Sequence, residues 1–118
     1  MPRADFDLQL DLLQKEVEVL ATTVAKSINL AVDALKERDL ANSDQVVRDD
    51  DYIDQKRFEI EERCIDLIAS QQPMARDLRV ILALLHIAVE LERMGDYAEG
   101  IAKISLAMGE DPPVKPLV

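Results

Sequence analysis

Apolar residues recur along the first third of the chain at steps that alternate between four and three. The series is Phe6, Leu10, Leu13, Val17, Leu20, Val24, Ile28, Ala31 and Leu35. This spacing places every member on one stripe of an α-helix, and neither glycine nor proline interrupts it. The pattern predicts a first helix that begins near Asp5, a suitable N-cap residue, and extends for roughly 30 residues, or about 45 Å.

The segment after the break "KERDLANSDQ" predicts a second helix with an unusual mixture of rows. Asp39 and Ser43 are both candidates for its N-cap. One row at seven-residue spacing is apolar, but the adjacent row contains a carboxylate and a guanidinium. The apolar row is Val46, Ile53, Ile60 and Leu67, and the adjacent row is Asp50, Arg57 and Cys64.

The second break, "SQQPMARDLR", introduces a third helix that we expect to run from Pro73 to about Met108. Proline suits a first helical turn because its missing N–H has no partner there. Apolar residues cover more than half of the circumference, so we expect contacts with both other helices, or with a partner as well. One stripe is Met74, Leu78, Ile81, Leu85, Ala88, Glu92 and Gly95; another is Leu84, Ile87, Leu91, Met94, Ala98 and Ile101.

Together these segments predict an all-α fold over residues 1–108, an antiparallel up-down-up three-helix bundle with short loops. An elongated coiled-coil dimer is the alternative. Gly109 is the expected stop of the third helix. Residues 109–118, "GEDPPVKPLV", contain three prolines and predict an extended linker, which we expect to lead to a second repeat not in this chain.

The composition narrows the possible partners. The 118 residues suffice for one domain, and with no tryptophan, two tyrosines and two phenylalanines the core must be aliphatic. A net charge of −10 argues against nucleic acid and against docking on an anionic membrane, and it permits a cation or a basic protein partner. A single cysteine, together with an N-terminal segment that carries acids, favours a cytoplasmic location.

The residues needed for common catalytic centres are missing from the sequence. The lone histidine, His86, falls on the polar side of the third helix near Glu90, and Cys64 is expected to be a small buried hydrophobe. A carboxylate-bridged metalloenzyme would need Glu-x-x-His pairs, and there are none. Asp77 is expected to interact with the helix dipole and to pair locally with Arg76 or Arg79. These features predict that the chain is not an enzyme.

Paired carboxylates are the candidate chemistry. Asp50 and Asp54 lie four apart in "DDDYID", and Glu92 and Asp96 lie four apart in "ERMGD". Residues at this spacing share one helix face, where like charges repel, and carboxylate oxygens are ligands for magnesium, calcium, manganese and iron, and acceptable to zinc. If the pairs face each other, four carboxylates form one metal site. The alternative is a solvated acidic face, because such pairs are common in an acidic chain.

A glycine lies between the two acids of the second pair. Gly95 in a helix interior costs about 1 kcal/mol relative to alanine. We therefore expect close approach of another backbone or of a ligand at this position.

Three separated motifs of the chain resemble the PhoU family of phosphate-signalling regulators. They occur in "DDDYIDQKRFEIEERCIDLIASQQPMARDLR", which carries two of them, and in "ELERMGDYAEGIAK"; the opening "FDLQLDLLQKEV" is similar to the family's first helix. The resemblance covers nearly the whole chain. It implies a fold of two tandem three-helix repeats, of which this chain matches the N-terminal one.

The resemblance also implies a function. PhoU proteins are non-enzymatic negative regulators of phosphate uptake and of the phosphate-starvation response, and they couple a phosphate ABC transporter to a sensor histidine kinase at the inner face of the membrane. Some members bind multinuclear metal clusters through E/D-x-x-x-D motifs. By position, those motifs are Asp50/Asp54 and Glu92/Asp96, with iron, zinc or magnesium as the candidate ions. We also expect a homodimer; a dimerisation bundle without ligand is the alternative function.

Overall fold

The computed structural model describes residues 3–109, and every regular element within them is an α-helix. The helices are α1 (Arg3–Glu37), α2 (Leu40–Gln71) and α3 (Ala75–Met108). Each helix packs against both others in a bundle of 60 × 23 × 16 Å. The predicted all-α three-helix bundle is confirmed. The linker was expected over residues 109–118, and its residues from 110 onward lie outside the described part of the chain.

The apolar stripe of α1 forms one wall of the core, as its spacing predicted. Its members lie against the buried row of α2 and the buried stripe of α3. The main buried positions are Phe6, Leu13, Val17, Leu20 and Val24 of α1, Ile53, Ile60, Cys64 and Leu67 of α2, and Ile81, Leu84 and Ala88 of α3. Burial of these apolar side chains is the main force that holds the helices together.

The turn between α1 and α2 decides between the two candidate N-caps. The Asp39 Oδ1 accepts a hydrogen bond from the Asn42 backbone N–H at 3.1 Å, so Asp39 is the cap. Ser43 is instead buried, and its hydroxyl donates to the Ser105 Oγ at 3.0 Å. This bond joins the beginning of α2 to the end of α3.

The expected start of α3 was wrong by two residues. Gln72 adopts a left-handed conformation (φ 46°) and its N–H donates to the Ile68 carbonyl, which closes α2. Pro73 therefore follows a helix end, where proline is common, and α3 begins at Ala75. Met74, predicted to lie on the apolar stripe, is outside the helix and 79% exposed.

The local ion pair expected for Asp77 was also wrong. Its carboxylate binds the Arg3 guanidinium of α1, with Nη1–Oδ2 at 2.5 Å and Nη2–Oδ1 at 3.3 Å. The reason is topological, because α1 and α3 run in the same direction and begin at the same end of the bundle. The Arg3 hydrogen bond holds the pKa of Asp77 below its ordinary value.

The expected end of α3 is confirmed. Gly109 has φ of 64°, a region that favours glycine, and its N–H donates to the carbonyls of Ser105 and Leu106.

Candidate metal centre

Helices α2 and α3 bring three carboxyl groups together near the middle of their length. Asp50 and Asp54 lie one turn apart on α2, and Asp96 projects from α3. Each offers an oxygen within 4.8 Å of those of the other two. The structure thus places three of the four sequence-predicted ligands in one cluster.

Glu92, the fourth predicted ligand, lies beside the cluster and is bonded to a cation of the protein. Its Oε2 accepts from the Arg57 Nε at 3.2 Å, and Arg57 also pairs with Glu61. The guanidinium offsets part of the Glu92 charge, while Glu92 still raises the pKa of Asp54 through its charge and a side-chain hydrogen bond. The arrangement therefore gives three converging carboxylates with the Glu92–Arg57 ion pair beside them, and the role of Glu92 as a fourth ligand stays a prediction.

Asp50 is the buried member of the cluster. Its residue surface is only 4% exposed, and the Asp50 Oδ1 is buried without a hydrogen-bond partner among the described residues. Burial, and then the charge of Asp54, raises the pKa of Asp50 to about 7. A buried carboxylate oxygen without a partner is costly, so this group requires either a proton or a cation.

The other two members connect Asp50 to solvent. Asp54 is half-buried; its burial and the charges of Glu92 and Asp96 raise its pKa to about 6. Asp96 is exposed. The cluster therefore extends from a buried carboxylate at Asp50 to an exposed one at Asp96.

Glu99 belongs to the same acidic surroundings, and the sequence reasoning missed it. Its charge contributes to the raised pKa values of Asp50 and Asp54, although its own carboxylate pairs with Lys103 at 3.4 Å. The spacing in the sequence could have identified Glu99, because it lies three residues after Asp96 and so shares its helix face.

Gly95 has the close approach that its position predicted. A Cβ added to Gly95 would lie 3.2 Å from two Ile53 side-chain carbons and 3.4 Å from the Asp50 Oδ1. The space beside the glycine is therefore filled by side chains of α2. The glycine lets α3 pack closely over Asp50, and this packing contributes to the burial of its carboxylate.

The donor set fits a hard cation. All three ligand atoms are carboxylate oxygens, which suit magnesium, calcium, manganese and iron, and which zinc accepts. Oxygens up to 4.8 Å apart can share one ion whose metal–oxygen bonds are about 2.4 Å, and shorter bonds require small rotations of the side chains. The residues present are therefore compatible with a bound metal.

A groove of about 240 Å³ between α1 and α2 is a separate feature. Leu12, Val19 and Tyr52 are among its lining residues. Its Glu16 pairs with Arg63 at 2.7 Å, so this acid is already neutralised. The groove offers an apolar surface and no cluster of converging acids.

The two residues that could suggest nucleophilic chemistry occupy the expected environments. His86 is exposed. Cys64 is fully buried, and burial raises the pKa of its thiol to about 11, so its reactive thiolate form is scarce at neutral pH. None of the described helices contains a stretch long and apolar enough to span a bilayer.

Comparison with known proteins gives one consistent family. The model of the family described as the PhoU domain matches residues 9–105. The phosphate-specific transport system accessory protein PhoU homolog of Aquifex aeolicus is 40% identical over 110 residues, which cover 93% of this chain and 50% of that protein. The corresponding homolog of Pseudomonas aeruginosa is 33% identical over 106 residues, covering 90% and 44%.

A solved structure has the same fold. The crystal structure of the phosphate transport system regulatory protein PhoU from Streptococcus pneumoniae superposes with a TM-score of 0.85 at 32% identity, over 93% of this chain and 52% of that one. The chain spans about half the length of the curated relatives it matches.

Proposed function

Because the chain belongs to the PhoU family, whose domain matches residues 9–105, we propose that it is a non-enzymatic regulator of phosphate transport. In this proposal it is a cytoplasmic negative regulator of phosphate uptake and of the phosphate-starvation response. It would act as an adaptor between a phosphate ABC transporter and a sensor histidine kinase. The support is the match itself and the names of the relatives, which describe accessory and regulatory proteins.

The proposal includes a cation held by the carboxylate cluster. Its ligands would be Asp50, Asp54 and Asp96. Glu92, which accepts a hydrogen bond from Arg57, would lie beside the site. The observation that carries this part is the buried Asp50 Oδ1, which lacks a partner among the described residues while two further carboxylates converge on it. Iron, zinc and magnesium are the candidate ions.

A bound cation would act on the bundle through charge. It would reduce the repulsion among the three neighbouring carboxylates. It would also join α2 to α3, because its ligands lie on both helices. Binding to the folded chain alone would raise its stability by mass action. A regulator could use such a link to hold one conformation of the α2–α3 surface.

Thermal unfolding with added zinc, iron or magnesium tests the cation site. We expect at least one ion to raise the melting temperature of the wild-type chain and to have little effect on an Asp54→Asn/Asp96→Asn variant. Equal stabilisation of the two proteins would contradict binding at this cluster.

The adaptor role is tested by direct binding to a purified transporter ATPase and to the cytoplasmic part of a sensor kinase. We expect the chain to bind at least one of them. Repeating the measurement with a metal chelator, and with the Asp54→Asn/Asp96→Asn variant, shows whether binding requires the cation. Absence of binding to both partners would remove the adaptor role and leave the cation site to be judged by its own measurement.

Self-association is also part of the proposal. The alternative function, a dimerisation bundle without ligand, shares this part, and apolar residues exposed along α3 support it. The two functions differ in the cation, so the thermal measurement separates them.

A further inference from the structure

Arg57 is the one positive residue in an acidic row of α2. Asp50, Asp54, Arg57 and Glu61 follow one another at steps of four, three and four, so they share one face of the helix. The first two belong to the carboxylate cluster, and the last two form an ion pair. The guanidinium therefore lies about one helical turn from the nearest cluster carboxylate.

Arg57 joins acids of two helices. Its Nε donates to the Glu92 Oε2 of α3 at 3.2 Å, and its Nη1 donates to the Glu61 carboxylate, one turn further along α2. One side chain can make both contacts because the N–H groups of a guanidinium are fixed in a planar fork. Arg57 is thus held between two carboxylates.

Glu92 lies between Arg57 and the cluster. On one side its carboxylate accepts the Arg57 hydrogen bond. On the other side its charge and a side-chain hydrogen bond raise the pKa of Asp54. Glu92 also lies one turn before Asp96 on α3. A cation at the cluster and the Arg57 guanidinium would therefore be two positive charges beside the same carboxylate.

The Arg57–Glu92 pair is largely buried. The Arg57 side chain is 24% exposed and the Glu92 side chain 22%, so solvent screens this pair less than it screens a surface pair. Within residues 3–109, Asp50, Asp54 and Asp96 form no ion pair with lysine or arginine. The guanidinium is thus directed to the fourth acid and away from the three cluster carboxylates.

We propose that Arg57 sets the cation affinity of the cluster by competing with the bound ion for Glu92. The inference rests on the proposed cation site and adds a residue that is not itself a ligand. With Arg57 present, Glu92 stays paired and the ion is held by the three aspartates. Without the guanidinium, Glu92 becomes available as a fourth ligand.

The number of carboxylate ligands decides how tightly the ion is held. Zinc takes four ligands and calcium or magnesium six or more, so three carboxylates leave coordination positions to water. A fourth carboxylate would raise the affinity, because affinity for such ions depends on the number of charged ligands. By withholding Glu92, Arg57 keeps the binding weaker, so that the site fills and empties as the ion concentration changes.

Arg57 can lower the affinity in two ways, and Glu92 distinguishes them. A positive charge near the cluster repels a cation whether or not Glu92 is present. Competition for Glu92, by contrast, disappears when Glu92 has no charge to offer. A double-mutant cycle between the two positions therefore separates competition from simple repulsion.

Metal titration at pH 7.5 of the wild type, Arg57→Gln, Glu92→Gln and the double variant provides this cycle. The probe is whichever of iron, zinc and magnesium binds the wild type most tightly. We expect Arg57→Gln to lower the dissociation constant at least about tenfold. Glu92→Gln should raise it by a few-fold at most in the wild type, but by at least about tenfold when Arg57 is already replaced.

Arg63→Gln is the matched control. It removes the same charge from the same helix, and Arg63 pairs with Glu16 of α1 at 2.7 Å, away from the cluster. Its dissociation constant should stay within about twofold of the wild-type value. A gain in affinity as large as that of Arg57→Gln would show a general effect of net charge and overturn the competition.

A second variant keeps the test decisive if Arg57→Gln does not fold, which circular dichroism would show. Arg57→Lys retains the charge but lacks the planar fork that binds Glu61 and Glu92 together. Glu92→Gln should therefore again weaken binding more in this background than in the wild type.

The outcomes separate the competition from the proposed cation site. An equal loss of affinity from Glu92→Gln in every background would overturn the competition and leave the cation site intact. Absence of binding of all three ions, both to the wild type and to Arg57→Gln, would overturn the cation site and this inference with it.

Discussion

Gly95 of α3 lies so close to Asp50 of α2 that a methyl group on the glycine would be 3.4 Å from the carboxylate Oδ1. The helices can make this contact because position 95 has no side chain. The same closeness helps to shield the Asp50 oxygen from water and so to raise the pKa of its carboxyl group to about 7. The packing of the two helices and the chemistry of the candidate site therefore depend on one another.

Replacing Gly95 by alanine should destabilise the chain by about 1 kcal/mol. The gain in helix propensity, about 1 kcal/mol, is outweighed because the new methyl would meet two carbons of the buried Ile53 at 3.2 Å. Gly100→Ala is the matched control: nothing lies within 4 Å of its Cβ position, so it should stabilise by roughly 0.5–1 kcal/mol. Urea unfolding measures both. Stabilisation of similar size at the two positions would contradict the close contact.

Replacing Asp50 by asparagine should change the pH dependence of stability in the presence of a chelator. The folded-state pKa of Asp50 is raised, so its contribution to stability is fully present below about pH 4 and is lost as the pH rises through 7. The variant, which has no group to ionise there, should be more stable than the wild type at pH 8 by on the order of 2 kcal/mol. The two proteins should be similar near pH 4.

Urea unfolding at a series of pH values provides this comparison. The lowered pKa of Asp77 gives a slope of opposite sign, but it is common to both proteins and cancels in the difference. A difference in stability that does not change between pH 4 and pH 8 would show that Asp50 titrates normally.

Cation affinity should fall steeply as the medium is acidified. A metal must displace protons from carboxyl groups whose pKa values are about 7 for Asp50 and about 6 for Asp54. We expect the dissociation constant to rise by at least about tenfold between pH 7.5 and pH 5.5, with protons released on binding at the lower pH. Calorimetry in two buffers of different ionisation enthalpy measures both quantities. An affinity independent of pH would place the ion elsewhere.

Glu92 and Asp54 should contribute unequally to cation binding. The Glu92 carboxylate already pairs with the Arg57 guanidinium, so Glu92→Gln should lower the cation affinity by a few-fold at most. Asp54→Asn should weaken it by at least about tenfold, because a charged ligand is lost. Titration of each variant with the same ion provides the comparison. A greater loss of cation affinity in Glu92→Gln than in Asp54→Asn would show that Glu92 is a ligand.

The helices were predictable from sequence because each contains an apolar row that continues over most of its length. The buried row of α2 was equally clear, and the presence of Asp50 beside it marked that residue as unusual. The helix ends were less predictable. Pro73 satisfies the rules for a first helical turn and also for the residue after a helix end, and the left-handed conformation of Gln72 decided between them.

The candidate site was partly predictable for a related reason. Spacing places carboxylates on a helix face, but it does not choose their partners across the bundle. Arg57 pairs with Glu61 on its own helix and also with Glu92 on α3. Asp77 pairs with Arg3 of α1 in place of a neighbour on its own helix. The apolar side chains that α3 leaves exposed, such as Met94 and Ile104, were expected only as an apolar surface wider than the other two helices need, since a sequence does not show which apolar face they will cover.

Metal titration of the chain at pH 7.5 tests the central claim most directly. The variant to compare is Asp50→Asn/Asp54→Asn/Asp96→Asn, and the charge-matched control changes three exposed acids of α2: Asp51→Asn/Glu62→Gln/Asp66→Asn. We predict that the wild type and the control bind iron, zinc or magnesium with the same affinity and that the cluster variant does not bind. Equal binding by all three proteins, or no binding by the wild type, would contradict a cation site at this cluster.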